Sequence, residues 1–341
     1  MVLQETMEDG PAVVLSIIIV SYNTCRLTRD CLDSVLRERP CVPHEVVVVD
    51  NASSDGSASM IADHPLQPRL IASPENLGFA RANNLAAREA RGRYLLLLNP
   101  DTVVLDRAID RLLDFALARP DAGIWGGRTL FTDGSLNPKS CWRRMTVWSL
   151  LCRACGLATL CPASGFCNSE AYGGWLRDSQ RNVDIVSGCF LLIGRPLWAQ
   201  LAGFDAQFFM YGEDADLCLR ARRLGARPCV TPDATIIHYA GASEPTRAGK
   251  MEKLLAAKAT LIHRHWHPLL APLGITLLAL WPLSRWLALG ALERLPIAGK
   301  DGRGRVWADI WQRRRAWIGG YGERPSAMAG TDIVRARAMA P

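Results

Sequence analysis

Four consecutive leucines, Leu95 to Leu98, run directly into Asn99-Pro-Asp-Thr102. An apolar run of that length reads as a buried strand, and the polar tetrapeptide stops it abruptly, delivering the Asp101 carboxylate to a sheet edge. Ligands of open α/β sheets bind outside the carboxyl ends of parallel strands, so a cation or a phosphate belongs at such an edge. Taken alone, the tetrapeptide is also explained by a strand-to-helix turn with Asp101 or Thr102 as helix N-cap.

Two earlier runs repeat the pattern. Leu15-Ser-Ile-Ile-Ile-Val-Ser-Tyr22 is followed by helical spacing through Leu27, Cys31, Leu32 and Val35, and His44-Glu-Val-Val-Val-Val-Asp50 by the polar turn of residues 51–57. A short strand at residues 70–72 and a helix opening near Asn76 complete the order β-α-β-α-β-α-β. Strands that are apolar throughout predict an α/β fold, a Rossmann-like mostly parallel sheet with helices on both faces. The chain has neither G-x-G-x-x-G after its first strand nor G-x-x-x-x-G-K-[ST], which argues against a dinucleotide-dependent oxidoreductase or a P-loop ATPase.

Downstream, a helix over 109–116 and a strand near 123–131 precede residues 132–182, which show no steady period and read as an insertion over the site. Within it, Cys152, Cys155, Cys161 and Cys167 lack the two close couples of a structural zinc site. Residues 183–193 read as one strand, with Ser187-Gly188 allowing close approach of a ligand or backbone. Helical spacing of Leu217, Cys218, Ala221 and Leu224 crowds Glu213, Asp214 and Asp216 at a helix N-terminus, where acidic residues also complement the macrodipole. The strand Thr235-Ile-Ile-His238 ends on a histidine.

Residues 250–267 have the pattern of an amphipathic basic helix. Residues 268–284 are uncharged and mostly apolar, carry Pro272 and Pro282, and have Trp266, Trp281 and Trp286 at their margins. This predicts an interfacial or re-entrant membrane element in preference to a clean span, with a buried core hairpin as the alternative. Net charge is +7, and residues 285–337 hold eleven basic side chains against five acidic ones. That bias suits an anionic surface, and no nucleic-acid-binding motif accompanies it. Eleven cysteines, several inside apolar runs, read as reduced thiols of a cytosolic chain. The apolar run at 13–20 follows acidic residues and is a strand, not a signal peptide. The expected organisation is an N-terminal tail over 1–13, a catalytic domain over 14–245, a basic and apolar helical region over 246–326 and a disordered tail over 327–341.

Seven segments in order resemble the inverting family 2 glycosyltransferases of GT-A fold, most closely the rhamnosyltransferase-like branch. They are Ile17-Ile-Ile-Val-Ser-Tyr-Asn23, Val48-Val-Asp-Asn-Ala-Ser-Ser-Asp-Gly-Ser57, Asn76-Leu-Gly-Phe-Ala-Arg-Ala-Asn-Asn84, Leu98-Asn-Pro-Asp-Thr102, Gly203-Phe-Asp205, Gly212-Glu-Asp-Ala-Asp-Leu-Cys218 and His238-Tyr-Ala-Gly241. The resemblance implies that Asp50, with Ser21 and Tyr22, holds the base or ribose of a nucleotide-sugar donor, and that Asn76, Gly78 and Arg81 lie against the nucleotide. Arg81 reads equally as a solvated helix residue.

Asp101 matches the last carboxylate of the family's metal motif. Asn99 stands where many members have Asp, leaving fewer anionic ligands. His238 matches a second metal ligand or a phosphate contact, and the implied cofactor is Mg²⁺ or Mn²⁺. Asp214 is implied as the general base, with Glu213 orienting the acceptor or the site. The resemblance thus implies transfer of a sugar, L-rhamnose from dTDP-L-rhamnose, onto a saccharide or polyprenyl-linked acceptor in cell-surface polysaccharide synthesis. The expected location is the cytosolic face of the cell membrane. A UDP-sugar-dependent galactofuranosyl or hexosyl transferase and an inactive membrane-associated scaffold are the competing expectations.

Overall fold

The computed structural model describes residues 13–239, 247–292 and 303–322. The two expected tails fall mostly or wholly outside the described residues, as do Ala240 and Gly241 of the last motif. The expected first half forms as read: β1 (Leu15–Ser21), α1 (Cys25–Glu38), β2 (His44–Asp50), α2 (Ser57–Ala62), β3 (Arg69–Ala72), α3 (Gly78–Glu89) and β4 (Tyr94–Leu98). There follow β5 (Thr102–Val104), α4 (Ala108–Ala118), β6 (Ile124–Leu130), β7 (Cys141–Trp142), α5 (Val147–Ala154) and α6 (Leu157–Leu160). Next come β8 (Arg181–Asn182), β9 (Ile185–Val186), β10 (Phe190–Gly194), α7 (Arg195–Gln200), α8 (Glu213–Arg223) and β11 (Cys229–His238). The helices α9 (Arg247–His265), α10 (Ala271–Leu292) and α11 (Arg303–Gln312) complete the described elements.

The main sheet runs β3-β2-β1-β4-β10-β6-β11-β5, with β8 also paired to β11. Its first four strands are parallel, and β10 enters antiparallel between β4 and β6. Alternation of side chains explains why the central strands are apolar throughout. Ile18, Val20, Val47, Val49, Leu95 and Leu97 pack on one face with α3 and α8, while Ile17, Ile19, Val46, Val48, Leu96 and Leu98 pack on the other with α1 and α4. Each such buried side chain contributes about 1.5–3 kcal/mol, so an Asp at Leu97 would break the sheet where it is most buried.

Three expectations are corrected. Residues 183–193 are not one strand: β9 leaves the main sheet to pair with β7, and the chain breaks at Ser187-Gly188-Cys189 before β10 begins. The Gly188 amide is bonded to a helix end instead of a strand neighbour. The insertion is more ordered than its lack of period suggested. Thr146 and Ser149 form a reciprocal capping box that starts α5, whose Leu150 shares a core with α9, α10 and α11. Finally, the prolines do not interrupt the apolar segment: it continues as the 22-residue α10, with Pro282 inside the helix. This helix is long and apolar enough to cross a membrane by length and composition, and it packs on α5, α9 and α11 with 28% of its apolar window buried.

Candidate active site

The carboxyl ends of β1, β2 and β4 open into a cavity of about 960 Å³. Tyr22, Asn51, Asn76 and Gly78 line one part of it, Asn99, Asp101 and His238 another, and Glu213 and Asp214 a third.

In the first part, the turn after β2 is joined to the start of α3 through amides. Asn51 Nδ2 donates to Asn76 Oδ1 at 2.9 Å, while Asn51 Oδ1 and Asn76 Oδ1 accept from the backbone N–H groups of Leu77 and Gly78. Gly78 has φ +74°, and a Cβ there would lie 2.5 Å from the Phe209 carbonyl oxygen, so the position requires glycine. Asp50 is 3% exposed; its Oδ2 accepts the Ser53 N–H at 3.1 Å, and its Oδ1 is buried without a hydrogen-bond partner. A buried acceptor left open in this way suits a ligand hydroxyl or N–H.

Antiparallel pairing of β5 with β11 sets His238 opposite Thr102 and beside Asp101. His238 Nε2 lies 3.2 Å from Asp101 Oδ1 and 3.5 Å from Asn99 Nδ2. Burial works against the imidazolium, but Cys189 and the Asp101 carboxylate outweigh it and raise His238 to about 10. Asn99 Oδ1 and His238 Nδ1 are both buried without partners. A carboxylate, an imidazole and an orphaned amide oxygen are a donor set that fits Mg²⁺ or, with its nitrogen, Mn²⁺; a cation bound there would take the place of the proton that His238 shares with Asp101. No cluster of three or more His, Cys, Asp or Glu side chains able to hold a metal occurs among the described residues. The remaining positions around a cation there would fall to ligand oxygens and water.

Gly212, at φ +90° with Phe208 and Ala257 packed on its Cα, starts α8 and swings Glu213 and Asp214 into the cavity. Asp214 Oδ2 accepts the Gly188 N–H at 3.0 Å and Oδ1 that of Ala215 at 2.7 Å. The adjacent Cys189 carbonyl accepts the Asn99 N–H at 3.0 Å, so residues 188–189 tie Asp214 to the Asn99-Asp101 turn. Burial raises the Asp214 carboxyl, and burial together with the Asp214 charge raises Glu213 well above the ordinary range. Glu213 Oε2 has no partner.

Asp216, which the sequence pattern leaves as a helix-capping residue, does something else. It is fully buried and holds His265 at 2.9 Å and Arg220 at 2.7 Å, fastening α9 to the helix that carries Asp214.

Of the residues picked out from the sequence, Tyr22, Asn76, Gly78, Asn99, Asp101, His238, Glu213 and Asp214 share this cavity. Ser21, Asp50 and Arg81 are not on its wall. Ser21 is fully buried and bonds Thr24 and Thr28, holding the turn from β1 into α1. Sequence reasoning missed Asn51, although it directly follows Asp50, and the cations that α9 and the insertion bring to the same cavity.

A family model described as Glycosyl transferase family 2 matches residues 16–170. The chain is 30% identical over 217 residues to N-acetylglucosaminyl-diphospho-decaprenol L-rhamnosyltransferase of Mycobacterium tuberculosis, covering 60% of this chain and 69% of that protein. It is 27% identical over 269 residues to the O-antigen biosynthesis protein RfbC of Myxococcus xanthus, covering 76% of this chain but only 20% of that one. Among solved structures, the mannosyltransferase PcManGT of Pyrobaculum calidifontis, in complex with GDP-Man and Mn²⁺, shares the fold. Its TM-score is 0.54 at 21% identity, over 89% of this chain and 85% of that one. With the mycobacterial relative 30% identical and matched over 69% of its length, and the family match lying over β1 to β6 and the turns that carry Asn51, Asn76 and Asp101, the chain belongs to the family 2 glycosyltransferases.

Proposed function

We propose that the protein is an inverting, metal-dependent hexosyltransferase. In this reading it moves L-rhamnose from dTDP-L-rhamnose onto a saccharide carried on a polyprenyl diphosphate, in polysaccharide synthesis at the cytosolic membrane face. The observation that carries the reading is the joining of Asp101-His238 and Asp214 in one cavity through the Gly188-Cys189 backbone. The names of the mycobacterial and myxococcal relatives support the sugar and the pathway class, and the apolar α10 supports the membrane surface.

The nucleoside binds over β1 and β2, where the Asn51-Asn76 amides fix the wall and Asp50, off that wall but next to Asn51 in the chain, has a buried, unpartnered Oδ1 to accept from ribose or base. Asp101 and His238, beside the Asn99 amide oxygen, hold Mg²⁺ or Mn²⁺, which supplies positive charge against the leaving diphosphate. Asp214 takes the proton of the acceptor hydroxyl while that oxygen attacks the anomeric carbon opposite the leaving group. The new C–O bond forms as the bond to the diphosphate oxygen breaks, so configuration inverts. Burial makes Asp214 a stronger base than an exposed carboxylate, and its bonds from Gly188 and Ala215 hold it in place. Glu213, buried and unpartnered on one oxygen, orients the acceptor.

The test is a donor screen. dTDP-rhamnose, UDP-glucose, UDP-galactose, UDP-galactofuranose, UDP-N-acetylglucosamine and GDP-mannose are offered with and without Mn²⁺ or Mg²⁺, and binding and slow donor hydrolysis are followed. Metal-dependent binding of dTDP-rhamnose is expected. Preference for a UDP-sugar would replace the donor, and binding of none by the folded protein would favour an inactive scaffold.

A further inference from the structure

The cavity carries more charge than donor chemistry over β1, β2 and β4 uses. Eight Lys and Arg side chains line it against four Asp and Glu. Several of the cations are already matched: Arg153 and Lys258 pair with Glu170, and Arg222 with Asp184. Lys139, Arg143, Arg144 and Lys250 are different. None of these four makes an ion pair among the described residues.

Three of them fall within six residues of the insertion, on either side of β7, and Lys250 comes from the first turn of α9. Lys139 and Arg144 are exposed, and Arg143 and Lys250 are half-buried. Arg143 is steadied by stacking 5.1 Å from the Tyr172 ring centroid, and the Arg144 backbone N–H is fixed on Asp184 at 2.9 Å. Partial desolvation and the charge of Lys250 push the Lys139 ammonium below its ordinary value, so the two lysines repel each other across the wall. Like charges held together without a carboxylate are relieved by an anion, and guanidinium groups match phosphate oxygens in pairs.

The same cavity has an apolar wall nearby, from Leu254 and Leu261 of α9 and from Trp266, Leu270 and Trp281. Leu269, beside Leu270, is 83% exposed. A cavity with carboxylates, unmatched cations and an apolar wall fits an amphiphile whose sugar and lipid are joined through phosphate.

We infer that Lys139, Arg143, Arg144 and Lys250 form a second phosphate subsite, separate from the donor's, that takes the diphosphate of a lipid-linked acceptor. This rests on the transferase reading above and names the part of the cavity that recognises the acceptor's linkage. Because these cations come from the insertion and α9 and not from the ends of β1, β2 and β4, donor and acceptor diphosphates are held by different elements.

The full-length protein is titrated calorimetrically with farnesyl diphosphate, farnesol, dTDP and UDP, beside the variants R144Q and K250Q. Arg144 is exposed and Lys250 half-buried, and neither substitution removes an ion pair from the described fold. Farnesyl diphosphate is expected to bind more tightly than farnesol, to weaken with salt, and to lose about tenfold in affinity in each variant. Affinity for the nucleoside diphosphate is expected to be unchanged in both variants. Equal binding of farnesyl diphosphate and farnesol, or wild-type affinity in both variants, would overturn the subsite. Loss of nucleoside diphosphate binding in step with farnesyl diphosphate would assign the wall to the donor instead. Failure of every sugar donor in the screen above would sink the transferase reading while leaving this binding result interpretable by itself.

Discussion

Glu170 is the point at which the insertion is fastened to α9, and replacing it tests how far the cavity wall depends on one buried charge. The carboxylate is 7% exposed and bonded to both Lys258 and Arg153. Burial works to raise it, but the charges of Lys258 and Arg153 win and hold it down from 4.5 to about 2. At about 1.4 kcal/mol per tenfold change in proton affinity, that difference corresponds to about 3 kcal/mol. Lys258 is shifted the other way: burial and the neighbouring Arg153 lower it, so its ammonium is held at a cost that the carboxylate offsets. The carboxylate's figure is therefore a ceiling for the group as a whole.

Because the native value is depressed, the stabilisation is fully present above about pH 4.5 and is lost as pH falls through about 2. Glu170→Gln should therefore lower unfolding free energy by up to about 3 kcal/mol at pH 7, with the gap to wild type closing progressively below pH 4.5. Adding Lys258→Met should recover part of the loss, since it removes a buried cation left without its partner. Urea unfolding over a pH series measures all three. An E170Q curve matching wild type at pH 7, or a gap that stays constant on acidification, would refute the reasoning.

Two further outcomes follow for α8, the helix that carries the proposed base. The acidic limb of the kcat/KM profile should lie above the ordinary carboxylate range, since burial raises Asp214 and the raised base is lost as pH falls through its native value; E213Q should leave a single carboxylate titrating in that limb. Asp216→Ala should destabilise the fold by about 3–5 kcal/mol by stranding the half-buried Arg220 guanidinium and the buried His265 ring and should lower kcat more than it raises donor KM, as measured by unfolding and steady-state kinetics.

The strands and their order were legible because a sheet buried on both faces leaves unbroken apolar runs, and each run here stops on Asp50, Asn99 or the Ser21-Tyr22 turn. Residues next to those stops were legible as a site for the same reason. What the pattern concealed depends on contacts distant in sequence. Ser21 looks like Tyr22 on paper, yet its hydroxyl turns inward to Thr24 and Thr28. Asp216 looks like a cap until His265, 49 residues later, is found against it. Pro282 reads as an interruption, but helix packing on α5 and α11 carries α10 through it. The insertion showed no period because its order comes from a capping box, stacked Tyr172 and the Glu170 ion pairs rather than from one amphipathic face.

The most direct test of inverting transfer with Asp214 as base is to incubate wild type and Asp214→Asn with the best donor from the screen, Mn²⁺ and a prenyl-diphosphate-linked saccharide, and to assign the product's anomeric configuration by NMR. The wild type should give product of configuration opposite to the donor, and the variant should bind donor but transfer about 10²- to 10⁴-fold more slowly. Retained configuration, or full turnover by Asp214→Asn, would contradict the account.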